Sequence, residues 1–94
     1  MKGKSNERRR SVQIANALGL HARPAAEFVK LANRFRADVW VSKDGVEVNG
    51  KSIMGVMMLA AERGSTIEIH ARGDDAAEAV DALVRLVADG FGEE

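Results

Sequence analysis

The sequence predicts an α+β fold, a four-stranded antiparallel sheet with three helices on one face. Three observations carry that prediction. Four short segments alternate apolar and polar residues, three longer ones repeat apolar residues at helical spacing, and their order is βαββαβα. Each strand has only one strongly apolar face. The helices should therefore cover a single side of the sheet and leave the other side wet.

The first strand is read at Val12 and Ile14, which alternate with Ser11 and Gln13. A loop containing Gly19 follows. A helix is predicted over residues 22–35, with Ala25, Phe28, Val29, Ala32 and Phe35 as its buried stripe. Val39 and Val41 flank Trp40 in the second strand, and Asp44-Gly45 is a hairpin turn into Val46 and Val48. Trp40 falls on the wet face as a partly exposed aromatic. Ser52 caps a short helix reaching Leu59, which Gly55 weakens by roughly 1 kcal/mol. Ile67 and Ile69 mark the fourth strand and put Glu68 and His70 on its other face. The last helix is predicted over residues 75–88, opened by Asp75 and Glu78 as a capping box. Its apolar stripe is Ala76, Val80, Leu83 and Val87.

The chain has 94 residues, enough for one small core. Its formal net charge is zero, which gives no reason to expect a nucleic-acid or membrane partner. There is no cysteine, so disulfides, thiolate nucleophiles and Cys-type zinc sites are excluded. No apolar run approaches the roughly 18 residues of a membrane helix, and no secretory signal opens the chain. A cytoplasmic protein is expected. Residues 1–10 carry an excess of four positive charges, from Lys2, Lys4, Arg8, Arg9 and Arg10 against Glu7. No aromatic residue interleaves them, so they read as a flexible, solubilising extension before a domain spanning residues 11–94.

Function is legible around His21. Pro24 is the only proline, and proline suits the first turn of a helix, where its missing N–H has no partner to lose. His21 then stands at the helix start. Helix starts present free amides and a partial positive charge, so they bind phosphate. With Pro24 lacking a donor, the amides of Ala22 and Arg23 supply the contacts. The positive helix end opposes protonation of the ring and favours the neutral nucleophile. Arg23 can balance charge on transferring phosphoryl oxygens. No metal is required. His70 and His21 are too few ligands for a closed metal site.

The second helix holds Ile53, Met54, Val56, Met57, Met58 and Leu59, too many apolar residues for one buried stripe. Met54 and Met57 share a face and suit an adaptable docking surface. Met58 and Leu59 are expected in the core.

The run Gly19-Leu20-His21-Ala22-Arg23-Pro24-Ala25 resembles the active-site motif of the HPr family, the histidine-containing phosphocarriers of the bacterial phosphotransferase system. Lys51-Ser52-Ile53-Met54-Gly55-Val56-Met57 resembles the family's second signature. The resemblance covers roughly residues 11–91 with matching spacing and element order. It implies an open-faced β-sandwich. It implies a phosphocarrier, not a stand-alone enzyme, phosphorylated on His21 by enzyme I with phosphoenolpyruvate as the source. Transfer to an enzyme IIA protein follows, without a bound cofactor. Ser52 resembles the position modified by a dedicated serine kinase, with a phosphorylase as its counterpart. A phosphate at that helix cap would add negative charge to a docking surface.

The alternative is a purely regulatory binding protein controlled through Ser52. Family members of that kind tend to lack the histidine. A small-ligand α+β domain is the blandest alternative, and nothing between the motifs suggests a pocket. Gly90, Phe91, Glu93 and Glu94 resemble the ending of the nitrogen-related branch, whereas the Ser52 motif resembles carriers in sugar-uptake regulation. A monomer is expected.

Overall fold

The computed structural model of the protein describes residues 6–93. Its elements are β1 (Glu7–Gln13), α1 (Ala22–Ala32), β2 (Asp38–Lys43), β3 (Val46–Asn49), α2 (Ile53–Met58), β4 (Thr66–Arg72) and α3 (Ala76–Ala88). A short 3-10 turn, Gly90–Gly92, follows. The sheet order is β1-β4-β2-β3, and every pairing is antiparallel. The predicted βαββαβα order and open-faced α+β architecture are both present.

Strand register explains the two faces. Val12 lies opposite Ile67, Val39 opposite Ala71, and Val41 opposite both Ile69 and Val48. These side chains point to the helices, and the four central ones, Val41, Ile67, Ile69 and Ala71, are fully buried. Phe28 of α1, Val56 of α2, and Val80, Leu83 and Val87 of α3 close the core from above. The hairpin turn takes left-handed angles at Asp44 (φ 52°) and Gly45 (φ 83°), which match the right-handed twist of the strands.

Five expectations are corrected. First, β1 begins at Glu7 and not at Ser11, so residues 7–10 do not belong to a flexible extension. Residues 1–5 of that stretch lie outside the described residues. The charged run hid the strand because neither face shows apolar alternation. Pairing with β4 holds it instead, together with Arg9–Glu68 (3.1 Å) and Arg10–Asp81 (3.2 Å) ion pairs.

Second, α1 ends at Ala32, short of Phe35. Arg34 and Phe35 donate three residues back to Leu31 and Ala32, and Lys51 Nζ caps the Phe35 carbonyl at 2.7 Å. Third, Met58 is exposed, because the six-residue α2 turns only Val56 inward. Leu59 is buried as expected.

Fourth, Asp75 makes no capping box. Its carboxylate instead accepts from the backbone amides of Arg36 (2.9 Å) and Ala37 (2.8 Å), tying α3 to the start of β2. The Arg36 amide is the main reason its acid is held below the usual carboxylate value. Fifth, His70 does sit on the open face but is only 6% exposed. Trp40 stacks on it at 4.9 Å, and Glu7 lies 3.0 Å from its Nε2. Trp40 itself is partly exposed, as expected.

Candidate functional site

The loop before α1 is shaped by one glycine. Gly19 has φ +66°, and a Cβ there would fall 2.2 Å from the Ala61 carbonyl oxygen. Only a residue without a side chain fits this approach. The close contact lets the Leu20 amide donate to Ala61 O at 2.9 Å, so the chain enters α1 along a fixed path.

His21 is the N-cap residue of α1, in extended backbone conformation. Its carbonyl accepts from the Ala25 amide at 3.0 Å, which closes the first turn. The amides of Ala22 and Arg23 are first-turn donors with no intrahelical acceptor. Pro24 is fully buried and anchors that turn in the core. The His21 ring is 36% exposed. Arg23 is exposed and forms no ion pair among the described residues. His21, Ala22 and Arg23 thus share one open cleft with Leu18, Gly92 and Glu93. The site has an imidazole ring, two first-turn amides without intrahelical acceptors and an exposed guanidinium. That set can receive a tetrahedral dianion and offset its charge.

Ser52 caps α2: its Oγ accepts from the Gly55 amide at 3.0 Å. Gly55 keeps this cap uncrowded, since a Cβ there would lie 3.1 Å from the Asn49 carbonyl oxygen. Met54 is 72% exposed and Met57 39%. Helix α2 packs against α1, so the methionine face and the His21 helix belong to one side of the molecule. His70 stands apart, on the opposite face of the sheet with Glu7 and Trp40. Among the described residues, no group of three or more His, Cys, Asp or Glu is placed to hold a metal ion.

The sequence reading missed Glu93 of the cleft and the buried Asn16 behind it. Glu93 Oε1 lies 3.4 Å from His21 Nε2, and the buried Asn16 donates to that same oxygen at 3.0 Å. The contacts join positions 77 and 72 residues apart, which no local pattern reveals. The one available signal was a lone amide in the Ala15-Asn16-Ala17-Leu18 run.

A family model described as the PTS HPr component phosphorylation site matches residues 8–89. The chain belongs to the HPr family. A phosphocarrier protein HPr of Neisseria meningitidis serogroup A is 51% identical over 85 residues, covering 90% of this chain and 96% of that protein. The crystal structure of HPr from Thermoanaerobacter tengcongensis superposes with a TM-score of 0.89 at 48% identity, covering 93% and 98% of the two chains. The HPr-like catabolite repression protein Crh of Bacillus subtilis is 47% identical, with a TM-score of 0.73 and 84% and 91% coverage. Its crystal structure is described as a domain-swapped dimer. An HPr fold accounts for the helix-capped histidine and the one-sided helical layer together.

Proposed function

We propose that His21 accepts a phosphoryl group from phosphorylated enzyme I and passes it to an enzyme IIA protein. The observation that carries this reading is the position of His21 at the α1 N-cap, beside the open amides of Ala22 and Arg23. Glu93 engages Nε2, which leaves Nδ1 as the attacking nitrogen. Its lone pair forms the N–P bond while the bond from phosphorus to the donor breaks towards the donor. The phosphoryl oxygens then take hydrogen bonds from the two amides and charge compensation from Arg23. The chain needs no cofactor of its own, since phosphoenolpyruvate acts through enzyme I. Such a carrier works in the cytoplasm. No helix among the described residues is long and apolar enough to cross a membrane.

Met54 and Met57 supply adaptable contact area for successive partners. A serine kinase acting on Ser52 would place negative charge beside that face and weaken docking, with a phosphorylase reversing it. The likeness to Crh favours a second reading, a regulator working through Ser52 and α2 alone. The Gly90, Phe91 and Glu93 ending supports a nitrogen-related enzyme IIA as acceptor, and the Ser52 motif supports sugar-uptake control. Assay against each class of enzyme IIA separates the two. The charged edge strand β1 disfavours edge-to-edge pairing and supports a monomer, which light scattering checks against a Crh-like dimer.

Incubation with phosphoenolpyruvate and enzyme I yields an acid-labile adduct in the parent protein and none in His21→Ala. An adduct that persists in His21→Ala overturns the assignment. Partner binding that depends on Ser52 phosphorylation and survives loss of His21 establishes the regulatory reading instead.

A further inference from the structure

The chain after α3 is bent back onto the His21 cleft by an unusual local geometry. Gly90, Phe91 and Gly92 are all left-handed, with φ of 65°, 58° and 75°. The Gly92 amide donates to Asp89 O at 3.3 Å and the Glu93 amide to Gly90 O at 2.9 Å, so the turn is internally closed. Phe91 packs on the core and holds the strap down despite its backbone strain. The product of this folding is one carboxylate, Glu93, delivered to the ring of His21.

A buried amide receives it. Asn16 is 1% exposed, and its Nδ2 donates both protons, to Gly19 O at 2.8 Å and to Glu93 Oε1 at 3.0 Å. Its Oδ1 is buried without a partner among the described residues. The opposite amide orientation would set that oxygen against two acceptors, so chemistry fixes the side chain as a double donor. One end of Asn16 grips the loop that carries His21. The other grips the carboxylate that faces the ring.

We propose that Glu93, held in place by Asn16, is a positioning residue for His21. The carboxylate accepts the Nε2 proton, so the lone pair is kept on Nδ1. As Nδ1 forms its bond to phosphorus, Nε2 retains its proton and the ring becomes cationic. The donor leaves with the electron pair of the bond that breaks. The positive ring then faces a carboxylate already in place, which stabilises the transfer without moving a proton. This inference rests on the carrier reading of His21.

The test uses the full chain with a 15N-labelled histidine ring. In the parent protein the ring nitrogen shifts show the Nε2–H tautomer, and phosphorylation by enzyme I sets the reference rate. Glu93→Ala and Asn16→Ala each raise the share of the Nδ1–H tautomer at least twofold. Both lower the rate of phosphoryl acceptance by about tenfold, the scale of one hydrogen bond to a charged group. Glu93→Asp recovers part of the rate. A merely structural strap would not move the His21 tautomer. If Asn16→Ala fails to fold, Glu93→Ala decides alone. An unchanged tautomer ratio in folded Glu93→Ala overturns the proposal, as does a rate within twofold of the parent. Failure of the parent protein to accept phosphoryl overturns the carrier reading instead, and the tautomer ratio still reports on Glu93.

Discussion

Gly19 shows how far one residue can govern the site. Its left-handed backbone and the 2.2 Å approach of Ala61 O leave no space for a methyl group. Leu20 and His21 follow directly, so any relaxation of that contact displaces the ring. Gly19→Ala is expected to destabilise the protein by about 3 kcal/mol, from left-handed strain plus a backbone clash. Urea unfolding measures the loss, and a midpoint equal to that of the parent contradicts it. The strap residue Phe91 carries comparable strain without the clash, because its side chain packs on the core.

At the scale of elements, α2 separates folding from docking. Ser52 serves the fold: Ser52→Ala removes the bond to Gly55 N and should cost about 1 kcal/mol, while Ser52→Asp keeps a capping oxygen and most of the stability. Thermal unfolding of the two variants side by side distinguishes cap chemistry from a general effect of substitution. Met54 serves the surface. With 72% of its area exposed, Met54→Asp should change stability by no more than about 0.5 kcal/mol. The same variant should weaken enzyme I binding about tenfold, as expected for truncating a docking contact. Calorimetric titration reads the affinity, and an unchanged value removes Met54 from the interface.

Helix α3 gives a contrasting case. Its start looks like a capping box in sequence, yet Asp75 is spent on the amides of Arg36 and Ala37. The Asp–x–x–Glu spacing was real, but a tertiary contact offered the carboxylate two donors at once. His70 failed similarly. Period-two alternation placed it on the open face correctly, and Trp40 and Glu7 then covered it. Local periodicity assigns a face; it does not say what lies over that face.

For the whole molecule, two carboxylates staple distant segments and make stability depend on acid. Hydrogen bonds from His70, and then Arg72, hold Glu7 below the usual carboxylate value, which fastens β1 to β4. Asp75 is held low chiefly by the Arg36 amide, which fastens α3 to β2. A group whose folded value is depressed contributes stability that is present above its unfolded value. That contribution is lost as pH falls through the folded value. The thermal midpoint should therefore hold steady down to about pH 5 and then fall as the pH drops through the lowered folded values of these two acids. The double variant Glu7→Gln/Asp75→Asn should start lower at neutral pH and decline less steeply. Parallel pH curves for the two proteins would exclude these carboxylates as the source.

The sequence by itself determined the element order, the buried stripe of α3 and that of α1 as far as Ala32, the caps at His21 and Ser52, and the family. These depend on spacing within a few residues, where backbone geometry and burial act directly. Tertiary structure decided what local spacing cannot carry. Pairing with β4 made the charged residues 7–10 a strand, since hydrogen bonds to a neighbour need no apolar pattern. The shortness of α2 put Met58 in water. The folding of residues 90–93 onto Asn16 brought Glu93 to His21, a contact between two ends of the chain that only the closed core places together.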